Sequence, residues 1–344
     1  MTKELIRWGM IGCGAVTEVK SGPGFQKASG SALIAVMRRN RELAEDYARR
    51  HGVSRAYDDA ENLLADPEVD AVYIATPPGT HAHFALRAAA HGKPAYVEKP
   101  MARHVPECDR MLAAFAGAKK PLFVAYYRRS LPRFQAVLRL LQERALGDIT
   151  AIDYLMSAPH HRKDSGWRVS AEEAGGGHFL DVGSHMVDLV DFLFGPLEAV
   201  TGSAERAGPA GDVEDRVAMT FTAGGVAGRG RWDFASDEAA DLLTVTGTLG
   251  TLRFSVFGDE PLAWDRAGSS EPLVRPNPPH VQQPMIQSVV DDLLGRGTCP
   301  STGESARRAS AVMDTVLNGY YGGRGDEFWR RPGTWPGRNR APRT

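Results

Sequence analysis

The apolar, strand-like run Ile6–Ile11 feeds directly into Gly12-Cys13-Gly14-Ala15-Val16-Thr17 and then into a helix-like segment. A strand that ends on closely spaced glycines and turns into a helix constrains the fold more than any other local pattern in this chain. The first glycine permits the tight turn, and the second lets the backbone approach a pyrophosphate. The helix N-terminus then offers unsatisfied N–H groups to the negative charge. Thr17 fills the third small position of this fingerprint, a mild departure. Further strand-like runs at 32–37, 71–75, 95–98 and 122–125 alternate with helix-like runs at Arg41–His51, 81–91 and 106–118. Strands separated by helices of this length form βαβ units, hence a parallel sheet with right-handed crossovers.

After a connecting helix at 131–147 the texture changes. Strand-like runs at Ile149–Ser157, 199–204, 216–222, 226–234, 241–246 and Gly250–Phe254 follow one another with short Gly or Asp turns. Such succession predicts an antiparallel sheet. Helices are expected at Ser184–Phe194, 284–294 and 304–318, a loop at 258–279, and a Pro/Arg-rich arm at 330–344 that is extended or partly disordered. The expected domains are 1–127 for dinucleotide binding, 128–330 for substrate binding and oligomerisation, and 331–344 as a tail.

With 344 residues the chain can bury two cores, and its formal net charge of -1 gives no footprint for nucleic acid or anionic membrane. No apolar run approaches the ~20 residues of a membrane span, and no leader pattern precedes Leu5. Three cysteines, Cys13, Cys108 and Cys299, are an odd count without paired spacing. A reducing, cytoplasmic setting is therefore expected.

The second strand ends in Arg38-Arg39-Asn40 rather than in the acidic residue that commonly holds an unphosphorylated ribose. Two guanidiniums suit a 2′-phosphate, favouring NADP(H), with NAD(H) as the alternative. A solvated basic edge is the plainer account of the same pair. The next strand runs into Thr76-Pro77-Pro78-Gly79-Thr80-His81, where paired prolines stiffen a shelf suited to a nicotinamide. Glu98-Lys99-Pro100 follows, and the proline holds Lys99 extended at the strand end. An ammonium there can stabilise alkoxide character on a substrate oxygen. A surface lysine before a turn is the bland alternative.

Downstream, Gly175-Gly176-Gly177-His178 leads to Asp181 and His185, four residues apart and on one helical face if one helix holds both. An imidazole suits removal of a hydroxyl proton, with Asp181 orienting the substrate or the ring. Asp181 as a helix cap and His185 as a satisfied core residue are the competing readings. His178, Asp181 and His185, with His160 and His161, also have the residue types of a metal site. The dinucleotide already supplies a redox partner, so no metal is expected.

Taken together, the Gly12–Thr17 turn, the 75–81 segment, Glu98-Lys99-Pro100, Arg128-Arg129 with Pro132, and the 175–185 segment resemble the Gfo/Idh/MocA oxidoreductases, the family of glucose–fructose oxidoreductase and inositol dehydrogenase. The resemblance spans nearly the whole chain. It implies an α/β fold: an N-terminal Rossmann parallel sheet plus a C-terminal α/β domain with a large open, mostly antiparallel sheet, used for dimer or tetramer contacts. It gives Lys99, Asp181 and His185 as the catalytic group. It places Gly12, Cys13, Gly14, Ala15, Val16, Arg38, Arg39, Thr76, Pro77, Pro78, His81, Glu98, Lys99 and Arg128 around the cofactor. Trp167 and Arg168 resemble a Trp-Arg pair that reaches the cofactor in NADP-using members. The implied activity is hydride transfer between NAD(P) and a secondary alcohol or ketone of a sugar, cyclitol or polyol. Two other readings keep the same residues: transient oxidation by a retained cofactor that enables elimination, epimerisation or glycoside cleavage, and a non-catalytic NADP-sensing protein.

Overall fold

A computed structural model of the protein describes residues 4–159, 166–208, 211–266 and 269–338. Its helices are α1 (Gly22–Lys27), α2 (Arg41–His51), α3 (Ala60–Ala65), α4 (His81–Ala90), α5 (Val105–Ala118), α6 (Pro132–Gln142), α7 (Ala171–Ala174), α8 (Ser184–Phe194), α9 (Gln283–Leu293) and α10 (Gly303–Tyr321). No helix among the described residues is long and apolar enough to cross a membrane. The chain divides into two compact units. The first comprises Met1–Ala102, Pro106–Leu131 and Pro278–Arg307, the second Arg103–Val105, Pro132–Asn277 and Arg308–Thr344.

In the first unit, β1 (Ile6–Ile11), β2 (Ser31–Met37), β3 (Arg55–Tyr57), β4 (Ala71–Ile74), β5 (Ala95–Val97) and β6 (Leu122–Val124) form one parallel sheet in the order β3-β2-β1-β4-β5-β6. The order reverses between β1 and β4, the switch point at which such sheets bind ligands. A sheet covered on both faces needs strands that are apolar throughout. Trp8, Met10 and Ile11 of β1 and all four residues of β4 are accordingly buried. Phe25 of α1 lies 5.0 Å from the Trp8 ring and 4.9 Å from Tyr73, which stacks on Tyr96 at 5.3 Å. The α2 start is set by Asn40, whose side chain accepts from the Leu43 N–H at 2.9 Å. Its end is set by Gly52 in the left-handed region.

Alternation along the sequence gives a single boundary near residue 127, whereas the first unit regains 278–307. The outer edge of β6 explains the return. Val124 N–H donates to Ser301 O at 3.2 Å, Ser301 Oγ donates to Val124 O at 2.7 Å, and Phe123 bridges Thr302.

In the second unit, β7 (Ile149–Ser157), β8 (Leu197–Glu205), β9 (Arg216–Ala223), β10 (Val226–Asp233), β11 (Ala240–Gly247), β12 (Gly250–Phe254), β13 (Leu262–Arg266) and β14 (Ser269–Leu273) form a second sheet. Its order is β14-β13-β12-β11-β7-β10-β9-β8. Every neighbouring pair is antiparallel except β7 and β10. Along β9, Val217, Met219, Phe221 and Ala223 are buried while Arg216, Ala218 and Thr220 are exposed, so one face makes the core and the other is open. Helix α8 lies against β8 and β9.

Two expectations are corrected here. The segment 258–279 is not all loop, since it supplies β13 and β14. Pro272 is tolerated in β14 because that strand is the sheet's edge and has one neighbour. The C-terminal arm is not extended throughout. Trp335 is buried, its Nε1–H donates to Phe328 O at 3.0 Å, and its ring lies 4.8 Å from Tyr321. Residues 339–344 lie outside the described residues.

Candidate active site

A parallel sheet puts all its strand ends on one edge. In the first unit that edge carries the Gly12 turn after β1, Arg38 and Arg39 after β2, Thr76-Pro77-Pro78 after β4, and Lys99 after β5. These sequence-predicted residues therefore share one sheet edge, with the Gly12 turn and the Thr76 shelf flanking its switch point.

Gly12 adopts φ +94°, and a Cβ there would lie 2.8 Å from Thr76 Cγ2 and 3.0 Å from the Ala75 carbonyl carbon. Only glycine fits. Gly14 differs: a Cβ would meet nothing nearer than Gly12 O at 3.9 Å. Packing of the chain itself does not demand a glycine there. Space of that kind is what the close approach of a dinucleotide's phosphates would need, so the residues present fit the cofactor. Helical backbone starts at Ala15, followed by a π-turn at Thr17–Ser21, the kind of helix irregularity that recurs at functional sites. Tyr47 Oη donates to Thr17 O at 2.9 Å, satisfying a buried carbonyl in that turn. The Cys13 thiol is buried and pushed up to about 11 by burial, so this residue offers backbone rather than thiolate. Arg38 and Arg39 are exposed, and Arg38 Nη1 lies 3.5 Å from Cys13 O. Asn40 is committed to its capping role, so no side chain at this strand end is acidic.

Around Lys99, neighbouring polar groups serve the chain itself. Glu98 is buried. Its Oε1 accepts from Tyr73 Oη at 2.5 Å and Gln282 Nε2 at 2.7 Å, and its Oε2 accepts from the Lys99 N–H at 3.2 Å. Burial and the Glu98 charge push the Tyr73 phenol well above its ordinary range, keeping it a donor. His81 is fully buried, with Nδ1 3.0 Å from Pro100 O and Nε2 2.7 Å from Thr76 O. It thus ties the shelf after β4 to the turn that follows Lys99. Lys99 itself is half-buried and precedes a cis Pro100. Arg128 is buried in a short helical turn, its guanidinium 4.9 Å from the Tyr127 ring centre.

In the second unit, helical backbone runs unbroken from 178 to 194 through a π-turn at Phe179–Gly183 into α8. The four-residue spacing sets Asp181 and His185 about one turn apart. Close packing explains the glycine run before them: a Cβ on Gly177 would lie 2.1 Å from Glu214 O. The Gly177 N–H donates to Glu214 Oε1 at 3.0 Å, and Tyr321 Oη donates to Glu214 Oε2 at 2.5 Å. Burial pushes that carboxyl upward. Arg168 Nε lies 3.3 Å from Asp181 Oδ2 and its guanidinium sits 4.4 Å from the Trp167 ring centre. The structure thus groups Trp167, Arg168, Asp181 and His185 within this unit. His185 is buried, and its ring meets Phe257 edge-on at 5.6 Å.

No group of three or more His, Cys, Asp or Glu side chains among the described residues could hold a metal ion. His160 and His161 lie outside the described residues. Sequence reading missed Tyr47, Tyr73, Gln282 and Phe257, which act through long-range contacts that no local spacing reveals.

Residues 6–126 match a family described as an oxidoreductase family with an NAD-binding Rossmann fold, and residues 134–253 match the GFO/IDH/MocA C-terminal domain. The chain is 35% identical to Oxidoreductase P35 of Formosa agariphila over 314 residues, 90% of this chain and 97% of that protein. It is 28% identical over 307 residues to 1,5-anhydro-D-fructose reductase of Ensifer adhaerens, covering 87% and 91%. The fold is similar to levoglucosan dehydrogenase in complex with NADH and levoglucosan, with a TM-score of 0.82 at 21% identity over 91% of this chain and 96% of that one. It is similar too to aldose-aldose oxidoreductase from Caulobacter crescentus complexed with glycerol, with a TM-score of 0.80 at 21% identity over 92% and 98%. A glycine turn at a switch point, backed by a near-full-length relative and by matches to both halves, makes this chain a member of the Gfo/Idh/MocA family of NAD-binding oxidoreductases.

Proposed function

We propose that this protein catalyses reversible hydride transfer between a nicotinamide cofactor and a secondary carbinol of a sugar, cyclitol or related polyol. The observation that carries the reading is the gathering of the Gly12 turn, the Thr76 shelf and Lys99 on one sheet edge. The names of the relatives, a sugar dehydrogenase and an anhydro-sugar reductase among them, support the substrate class.

Oxidising a carbinol takes a hydride from carbon and a proton from oxygen. His185 accepts the proton, and the Lys99 ammonium donates a hydrogen bond to the oxygen as negative charge grows there. Asp181 orients the substrate hydroxyl. Exposed Arg38 and Arg39, with no carboxylate beside them at the strand end, favour NADP(H) over NAD(H). A homodimer or homotetramer through the open sheet face is supported by Leu155 and Leu242. These are exposed apolar side chains that pair directly across β7 and β11. All three cysteines are buried and none forms a disulfide, which supports a cytoplasmic location.

The test is nucleotide reduction by purified protein on levoglucosan, myo-inositol and glycerol with NAD+ and NADP+, and oxidation of NADPH or NADH with 1,5-anhydro-D-fructose. On a substrate that turns over, Lys99→Ala and His185→Ala should each lower turnover by a factor on the order of 10²–10⁴. The rise in Tm on adding nucleotide should persist in both. Full turnover in either variant removes that residue's role.

A further inference from the structure

We infer that Phe257 is a positioning residue for the His185 imidazole, and that Asp241 and Arg133 exist to hold it there. The inference deepens the proposed function, since it rests on His185 being the proton acceptor.

The turn between β12 and β13, residues 255–260, is gripped from two chemical sides. Asp241 takes its donors: Oδ2 accepts from the Phe257 N–H at 2.7 Å and from Ser255 Oγ, while Oδ1 accepts from the Val256 N–H at 3.2 Å. Tyr154 Oη fixes that carboxylate by donating to Oδ1 at 2.9 Å. Arg133 takes its acceptors. One arm of the guanidinium donates to Gly258 O, and the other to Ser255 O at 3.3 Å and Glu260 O at 3.1 Å. Ser255 Oγ adds a local bond, accepting from the Phe257 N–H at 3.1 Å.

Arg133 is only 1% exposed. Desolvating a guanidinium is costly, and a surface turn joining two antiparallel strands does not require it. The turn's tip is open, with Asp259 and Glu260 exposed, so the grip is not explained by burial of the turn itself. What it fixes is the backbone of Phe257. That half-buried ring meets the His185 ring with centroids 5.6 Å apart and planes at 80°, the edge-to-face arrangement that aromatic pairs prefer. An aromatic ring sets the direction of an imidazole through this edge-to-face contact. A backbone pinned on both sides keeps that direction constant through turnover, which proton transfer at hydrogen-bond distance requires.

The test uses the full chain with ring-¹⁵N-labelled histidine. The His185 signals are identified by their loss in His185→Asn. In the wild type, ring protons of Phe257 should show cross-relaxation to His185, a measurement that needs no variant. Phe257→Leu should displace the His185 ring signals while Phe257→Tyr leaves them in place. With a substrate found above, Phe257→Leu should lower kcat on the order of tenfold with KM within about twofold, and Phe257→Tyr should restore it. Absent cross-relaxation, unmoved signals in Phe257→Leu, or equal displacement in Phe257→Tyr overturns the inference. Displaced signals together with full turnover in His185→Ala uphold the positioning and remove the catalytic reading instead.

Discussion

Gln282 donates its side-chain amide to the Glu98 carboxylate at 2.7 Å across 184 residues of sequence. With Tyr73 on the same oxygen, it holds the buried acid whose other oxygen accepts from the Lys99 N–H. Replacing Gln282 by Leu strands part of a buried carboxylate's hydrogen bonding, at a cost of about 1–3 kcal/mol. Urea unfolding of Gln282→Leu should show that loss. An unchanged midpoint would mean that Tyr73 alone satisfies Glu98.

The two glycines of the first turn should separate on substitution. Gly12→Ala meets both a left-handed backbone and the Ala75 carbonyl carbon, so it should lose roughly 2 kcal/mol or more of stability. Gly14→Ala meets only open space and should stay within about 0.5 kcal/mol of wild type. Its nucleotide-induced rise in Tm should nevertheless vanish. A Gly14→Ala protein that still responds to NAD+ and NADP+ would show that the opening is not where phosphate sits.

Arg38→Ser with Arg39→Ser should weaken NADP+ binding by roughly 10- to 100-fold, the worth of charge-assisted bonds to one phosphate, and leave NAD+ binding nearly as it was. Calorimetric titration of both nucleotides into wild type and variant reads the difference directly. Equal losses for the two would assign the arginines to a part that both share.

Burial holds the His81 imidazole below its ordinary 6.5, against the opposite pull of the Thr76 and Pro100 carbonyls. The folded state thus prefers the neutral ring, and the unfolded chain binds the extra proton first. The stability this group contributes is complete above pH 6.5 and is lost as pH falls below that toward the lower folded value. Urea midpoints between about pH 5 and 7 should therefore fall more steeply with acid in wild type than in His81→Phe. Parallel profiles would contradict it.

Much of this is legible in the amino-acid sequence. Strands β1, β7 and β12 and helices α2 and α8 begin and end where apolar runs, caps and glycines say they should. Elements that owe their existence to a neighbour were not legible. Arg55–Tyr57 has no alternation of its own and is a strand because β2 pairs with it. Segment 258–279 is rich in turn formers, yet an edge position lets Pro272 join a ladder. The site divides in the same way. Gly12, Gly14, Lys99, Asp181 and His185 sit in contiguous motifs whose spacing has a chemical reason. Gln282 and Phe257 carry no such signature, because their partners are distant in sequence.

The completion of β6 by Ser301 and Thr302 bears on biosynthesis. A nascent polypeptide that has just delivered β6 has no outer neighbour for that strand until the 132–277 stretch and then Ser301 and Thr302 have been translated. Premature termination anywhere in that interval would leave an open hydrogen-bonding ladder, which invites self-association.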